Sequence, residues 1–473
     1  MLAHHKNGRF GSLVLAASVA LMLAGAARAE TLAGALVSAY NNSGLLDQNR
    51  ALLRAADEGV AQSMAALRPI INWSADTTRT FARTTGSAPL YLVGSSESTK
   101  VNVGISAELL LYDFGQTPLR AQIARENVLA TRQMLVGIEQ QVLRRAVAAY
   151  MDVRRQSEFL ALRQNNVKLI QQELRAAKDR FEVGEVTRTD VALAEARLAG
   201  ARSGLAAAEG ALVQAQEEYR AAVGHKPGNL APPPRIPQAA KSVEAAKDVA
   251  VRAHPDMIRA QHDVASAELS VVVAEAAMKP RITLKGSYGL TETFDSRAFS
   301  KGGSVGIQAT GPIYQGGRLS SLVRQAMAQR DGQRAGLHIV RLSVAQAVGD
   351  AYSQLQVAAA SRLASEEEVR ASRVAFRGVR EEATLGARTT LDVLNAEQEL
   401  LNAQANLISA MSQEHVAAYS LLSSMGMLTA EQLKLNVQSY DPEAYYNQVK
   451  SAPTITSKQG QKLDKVLRAL GKE

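Results

Sequence analysis

A chain of 473 residues with 4% aromatic residues, 13 prolines and long Ala-rich tracts lacks the mix of compact globular cores, so long helices are the better expectation. It contains no cysteine, which excludes disulfides and a lipid carried on a cysteine. The formal charge of +9 is modest and spread along the chain, and with no nucleic-acid motif it reads as solvated surface; no nucleic-acid partner is expected.

Residues 1–29 read as a secretory signal: His4, His5, Lys6 and Arg9 precede the apolar run Leu13 to Ala26, and Ala27-Arg28-Ala29 offers a small-x-small cleavage pattern before Glu30. The run is short for a spanning anchor, which needs about 20 apolar residues.

From there the chain is written twice. A constant offset of 202 aligns Tyr112 with Tyr314, Gly115 with Gly317, Gly184 with Gly386, Asp190 with Asp392, Glu195 with Glu397 and Gly224 with Gly426. Upstream the offset is 211, with Arg68-Pro69 over Lys279-Pro280. A repeat this long is a duplicated domain rather than a solenoid unit of about 20 to 50 residues.

The first repeat, 30–224, opens with a short helix (about 48–67) that runs into a proline, which ends helices. Strands follow at about 70–81 and 101–111. In the latter, Val101, Val103, Ile105, Ala107, Leu109 and Leu111 share one face and Asn102, Gly104, Ser106 and Glu108 the other. A long helix is expected over 116–183 and a return helix over 187–222; Val153, Leu160, Val167, Leu174 and Phe181 recur every seven residues, as an antiparallel coiled coil requires. Residues 225–250 form a Pro-rich connection. The second repeat, 251–426, copies the order: a short helix (about 259–278), strands at about 281–292 and 304–314, a long helix over 318–385 and a return helix over 389–425. The polar linkers 77–100 and 293–303 read as loops, and residues 427–473 as a C-terminal segment with a solvated, partly disordered tail.

Four strands with one apolar face are the signature of a transmembrane β-barrel, yet barrels start at eight strands and open edges are not tolerated in lipid. A barrel would therefore call for several chains to pool their strands; the strand pattern alone fits equally two amphipathic hairpins packed on something soluble. The clustering of Trp73, Phe81, Tyr91, Tyr112, Phe114, Tyr288, Phe294 and Tyr314 around these strands points to interfacial aromatic girdles.

The breaks between long and return helices, VGEVTRTDV (183–191) and LGARTTLDV (385–393), pair a helix-closing glycine with a helix-capping threonine and acid: Gly184 with Thr187 and Asp190, Gly386 with Thr389 and Asp392.

With the repeat, LYDFGQ and IYQGGR at the strand-to-helix passages, AAYMD and DAYSQ within the long helices, and the paired tips, the chain resembles the TolC family of outer-membrane export channels from Thr31 to about Val449. SYDPEAYY (439–446) resembles the end of the branch serving type I protein secretion. The resemblance implies a fold that is mainly α with membrane β: a homotrimer with a 12-stranded outer-membrane barrel continuous with a 12-helix periplasmic α-barrel. The 225–250 and C-terminal segments would form an equatorial belt. It implies a passive duct in the outer membrane and periplasm of a Gram-negative bacterium, in contact with outer-membrane lipids and joined through a periplasmic adaptor to an inner-membrane ABC or proton-driven transporter. Whether proteins or small molecules pass stays open.

The resemblance also implies a periplasmic gate. Arg388 and Asp392 match its basic and acidic residues, the arginine binding a neighbouring hairpin near Asp190. Asn395 stands where relatives place a second pore-facing aspartate, and Ala383 where they place a gate tyrosine, so weaker cation selectivity is expected. The tip residues Val183, Gly184, Glu185, Val186, Thr187, Leu385, Gly386, Ala387 and Thr389 are candidates for adaptor docking.

An enzyme is disfavoured: the histidines are scattered and no HExxH, GxSxG or phosphate loop occurs. No catalytic residue, metal or cofactor is expected. His254 and His262 could share a helix face but read as surface histidines. The alternative function is a periplasmic coiled-coil adaptor or structural protein, which would carry one hairpin flanked by β-rich modules.

Overall fold

The computed structural model describes residues 29–85, 93–237, 240–294 and 298–469, so the expected signal and Tyr91 lie outside the described residues. The element order is α1 (Leu32–Asn42), α2 (Gly44–Ala65), β1 (Ile70–Thr85), β2 (Val93–Tyr112), α3 (Gln116–Glu182), α4 (Arg188–Val223), α5 (Val243–Ala253), α6 (Pro255–Ala276), β3 (Arg281–Thr293), β4 (Phe299–Thr310), α7 (Arg318–Thr384), α8 (Thr390–Ser424), α9 (Pro442–Val449) and α10 (Lys458–Ala469). Among the described residues no helix is long and apolar enough to cross a membrane, which leaves the sheet as the element to judge. The residues divide into two compact units.

One unit comprises the described residues within 47–138, 251–345 and 439–469 and holds the sheet. Its strands run antiparallel in the order β1-β2-β3-β4. The register places Trp73 opposite Ile105 and Ile105 opposite Tyr288, and Ala75, Val103 and Leu290 form the next row. Strand side chains alternate between faces, so these rows share one face, and its large apolar residues stand exposed: Trp73 at 79%, Val305 at 82%. The opposite face is tied by polar contacts: Asn102 donates to Asp76 at 2.8 Å and accepts from Thr291 at 2.7 Å, and the Ser287 and Ser304 hydroxyls lie 2.9 Å apart.

Three sequence expectations are corrected here. β1 and β2 extend into the polar linker, to Thr85 and from Val93, and β4 begins at Phe299 and ends at Thr310, leaving Ile313 and Tyr314 outside it. Backbone pairing and β-branched threonines carry these polar extensions without an apolar face, and Arg79 meets Glu97 across them at 2.6 Å. The described part of the tail, up to Ala469, is ordered as a helix. α10 buries Leu463 with Ala61 and Val449, because its apolar residues recur at helical spacing among lysines. The short helices also start earlier than expected, at Gly44 and Pro255.

SYDPEAYY straps α2 to α3. Tyr440 and Tyr446 pack on Leu53, Val60 and Val128, Tyr445 donates to Glu58 at 2.8 Å, and Arg132 reaches Glu443 at 3.1 Å. Beneath the strap Asp57 is wholly buried, and neither carboxylate oxygen meets a hydrogen-bond donor among the described residues. Burial pushes its pKa up to about 6, against the pull of Arg132 and with a push from Glu58. A raised acid favours the folded state while protonated. Stability from this site is full below the ordinary carboxylate range and is lost as pH rises through about 6. Asp57→Asn is expected to remove up to about 3 kcal/mol of that fall. Melting curves of wild type and variant from acid to neutral pH check it, and parallel curves overturn it.

The other unit comprises the described residues within 29–46, 139–250 and 346–438. Here the long helices pair with their return helices: Val167 and Ile170 of α3 bury against Ala194, Leu198 and Ala201 of α4, and Phe376 and Ala383 of α7 against Val393 of α8. At the far end of α4, Glu30 is gripped by the first repeat and its connection. Its N–H donates to the Asn229 carbonyl and its carbonyl accepts from the Ala231 N–H, both at 2.8 Å. The buried Tyr150 hydroxyl contacts the Glu30 and Ala231 carbonyls at 3.0 and 2.7 Å, and the Tyr219 hydroxyl donates to the Glu30 carboxylate at 2.7 Å. The connection itself contains the unforeseen helix α5.

Candidate functional site at the hairpin tips

Each long helix ends on the residue the sequence marked. Gly184 and Gly386 have φ of +80° and +77°, a left-handed conformation that costs glycine nothing. Beyond them the chain turns back to cap the last helical carbonyls: Glu185 N–H donates to the Arg180 carbonyl, and Ala387 N–H to that of Glu382, each at 2.9 Å.

The return helices begin on matching capping boxes. Asp190 N–H donates to the Thr187 hydroxyl at 3.3 Å, while Thr187 N–H and Oγ1 donate to the Asp190 carboxylate at 2.9 and 2.7 Å. In the second tip Asp392 N–H reaches Thr389 Oγ1 at 3.2 Å, and Thr389 returns bonds of 3.0 and 2.8 Å. These bonds hold both acids below the ordinary carboxylate range, the Thr187 hydroxyl leading at Asp190 and the Thr389 N–H at Asp392.

Five residues make a turn rigid at both ends, so the apex has little choice of shape. It presents apolar side chains to solvent: Val183 is 71% exposed and Leu385 85%. Gly184, Glu185, Thr187, Gly386, Ala387 and Thr389 are exposed with them, and Val186 is half-buried.

The gate candidates are less uniform. Within one chain Arg388 does not meet Asp190; its Nε donates to Glu382 at 2.8 Å, which holds the guanidinium above its ordinary pKa, with Asp392 adding to the field. Asn395 accepts from Arg197 of α4 at 3.0 Å, so it joins the two hairpins instead of standing free. Ala383 is buried beside Phe376 and Val393 and offers nothing polar.

Sequence reasoning missed Glu382, Arg197 and the contact between Asn166 and Glu397, at 2.6 Å and buried. Glu382 sits six residues before Arg388, a spacing with no helical signature once a turn intervenes. Glu397 did leave a signal: it is an acid between Val393 and Leu400 on an apolar seam. His254 and His262 share no helix face, since His254 caps α6 by accepting from Asp256 N–H at 3.1 Å, while His262 meets Glu126 at 2.8 Å. No group of side chains among the described residues could hold a metal ion.

Comparison with known proteins gives concordant matches. The family described as outer membrane efflux protein matches residues 35–225 and 248–427, one segment per repeat. The outer membrane efflux protein BepC of Brucella suis is 38% identical over 427 residues, 90% of this chain and 91% of BepC. The outer membrane protein TolC of Vibrio cholerae is 26% identical over 86% of this chain and 93% of its own length. Among solved structures, the Campylobacter jejuni CmeC outer membrane channel superposes with a TM-score of 0.73 over 90% of each chain at 16% identity, a likeness of fold.

Proposed function

The chain belongs to the outer membrane efflux protein family, a family of transport channels and not of enzymes, and we propose accordingly that three copies form the passive exit duct of a tripartite exporter. The protein is an outer-membrane channel that extends into the periplasm. In this reading three four-stranded sheets close a 12-stranded barrel, which supplies partners for the outer edges of β1 and β4. The hairpins form a 12-helix tunnel whose periplasmic tips meet an adaptor. The adaptor in turn joins an inner-membrane ABC or proton-driven transporter that supplies energy and chooses the cargo, whether protein or small molecule.

The observation that carries the docking part is the pair of rigid tips with exposed apolar apices, Val183 and Leu385. Exposed apolar residues on a preformed turn favour a protein partner, since burial is rewarded and little conformational entropy is lost. Arg388, Asp392, Asp190 and Asn395 set the constriction: Arg388 exchanges its own Glu382 for Asp190 of a neighbouring copy when the duct is shut.

A photo-crosslinking residue at Glu185 or Ala387, in cells, is expected to capture a periplasmic adaptor carrying a helical hairpin. Capture of neighbouring copies alone, with the protein assembled in the outer membrane, would overturn the docking assignment.

A further inference from the structure

Two turns into α8 stands an acid whose neighbours on the seam are apolar. Glu397 is 4% exposed and lies four residues after Val393 and three before Leu400. Asn166 of α3 donates its amide to Glu397 Oε1 at 2.6 Å, so one buried hydrogen bond joins the first hairpin to the second. The other oxygen, Oε2, is buried and has no hydrogen-bond partner among the described residues.

The repeat supplies a control inside the molecule. Glu195 occupies the matching place in the first hairpin, and it is exposed and paired with Lys178 at 2.8 Å. Within one chain the same residue type is exposed in one copy and enclosed in the other. Packing of the two hairpins against each other makes the difference.

The cations near Glu397 are engaged elsewhere. Arg197 of α4 donates to Asn395 of α8 at 3.0 Å, and Arg380 of α7 faces Glu173 of α3 at 3.5 Å. Among the described residues Glu397 therefore has one neutral donor, a second carboxylate nearby in Glu173, and no salt bridge. A buried carboxylate so placed is costly to ionise, and the neutral acid is not.

We propose that Glu397 and Asn166 form a proton-operated latch between the two hairpins of one chain: with the carboxyl neutral the hairpins are held together above their tips, and with the carboxylate formed the contact loosens. In the closed latch Oε1 accepts the Asn166 amide and Oε2 carries the proton. When the hairpins part, Glu397 meets water and releases it.

Burial raises the Glu397 pKa from 4.5 to about 7; the Asn166 hydrogen bond opposes this, Glu173 adds to it and Arg197 opposes it. The acid binds its proton more tightly in the closed contact. The latch is therefore fully closed below about 4.5 and is lost as pH rises through about 7. This device rests on packing within one chain and is independent of the Arg388 gate. It would operate whatever the channel carries.

Hydrogen–deuterium exchange of the full-length protein in detergent tests it, read on peptides covering residues 160–175 and 393–407 and corrected for the chemical rate at each pH. Wild type is expected to lose protection there by about tenfold or more as pH rises through neutrality. Glu397→Gln, which keeps shape without charge, should hold the acid-state protection throughout. Asn166→Asp sets a second carboxyl against the first and should move the midpoint upward, because two such groups resist joint ionisation. A Glu397→Gln profile that still follows the wild-type titration overturns the latch, and so does an Asn166→Asp midpoint that stays in place. Conductance recorded alongside separates the two ideas: a protection change that leaves the pore unchanged supports the latch as a device separate from the gate.

Discussion

Arg388→Ser is expected to shift the tip of the channel toward its open form, raising single-channel conductance in planar bilayers above wild type. Arg388 is exposed and its charge is already shared, bonding Glu382 of its own hairpin at 2.8 Å and lying in the field of Asp392. Exposed ion pairs are individually weak, but in the proposed trimer three identical ones around the constriction would act together, and their joint loss would be worth about a tenfold change in an open-to-closed ratio. Two companions separate the gate from general loosening. Glu382→Gln removes the competing partner within the hairpin, leaves Arg388 to its neighbour and should lower conductance below wild type. Asp392→Ala removes a charge and the carboxylate arm of a capping box, so it should raise conductance and fray the start of α8. If Arg388→Ser and Asp392→Ala both conduct as wild type does, the gate assignment fails.

Ile105→Arg is expected to abolish assembly in the outer membrane. Ile105 lies at the centre of a cross-strand row between Trp73 and Tyr288, on the face whose large residues are apolar and exposed. An arginine on the lipid face of a barrel costs about 2–4 kcal/mol near the midplane, and the proposed trimer would carry it three times. Ser106→Arg, one residue along, turns to the polar face and should assemble. Outer-membrane fractionation and heat-modifiable migration on gels check both. Equal behaviour of the two variants would mean that the faces are assigned wrongly.

What the sequence disclosed and what it withheld divide along physical lines. The tips were legible because every bond in them is local: glycine, threonine and acid lie within seven residues, and each position has a conformational reason. The inner parts of the strands were legible because Val101, Val103 and Ile105 alternate with Asn102 and Gly104. Their outer parts were not, since Ala82 to Thr85 and Val93 to Lys100 pair through the backbone and show no apolar period. Helices α5 and α10 were hidden by polar and Pro-rich neighbours. The bond between Asn166 and Glu397 spans 231 positions, and a single sequence has no means of pairing them. Arg388 was singled out by the family resemblance alone, which did not disclose the partner it takes within its own chain, Glu382 across the turn.

The grip on Glu30 bears on how such a chain is made. Its partners are Asn229, Ala231, Tyr150 and Tyr219, all within the first repeat or the connection that follows it. Every group needed for that closure has emerged once residue 231 has, so the first half of a chain arriving in order has its fastening before the second half exists to help. Domains that complete themselves early in vectorial synthesis spend less time with apolar surface uncovered. The tyrosines deep in α3 and α4 thus fasten the first repeat with groups that all precede the second in the chain.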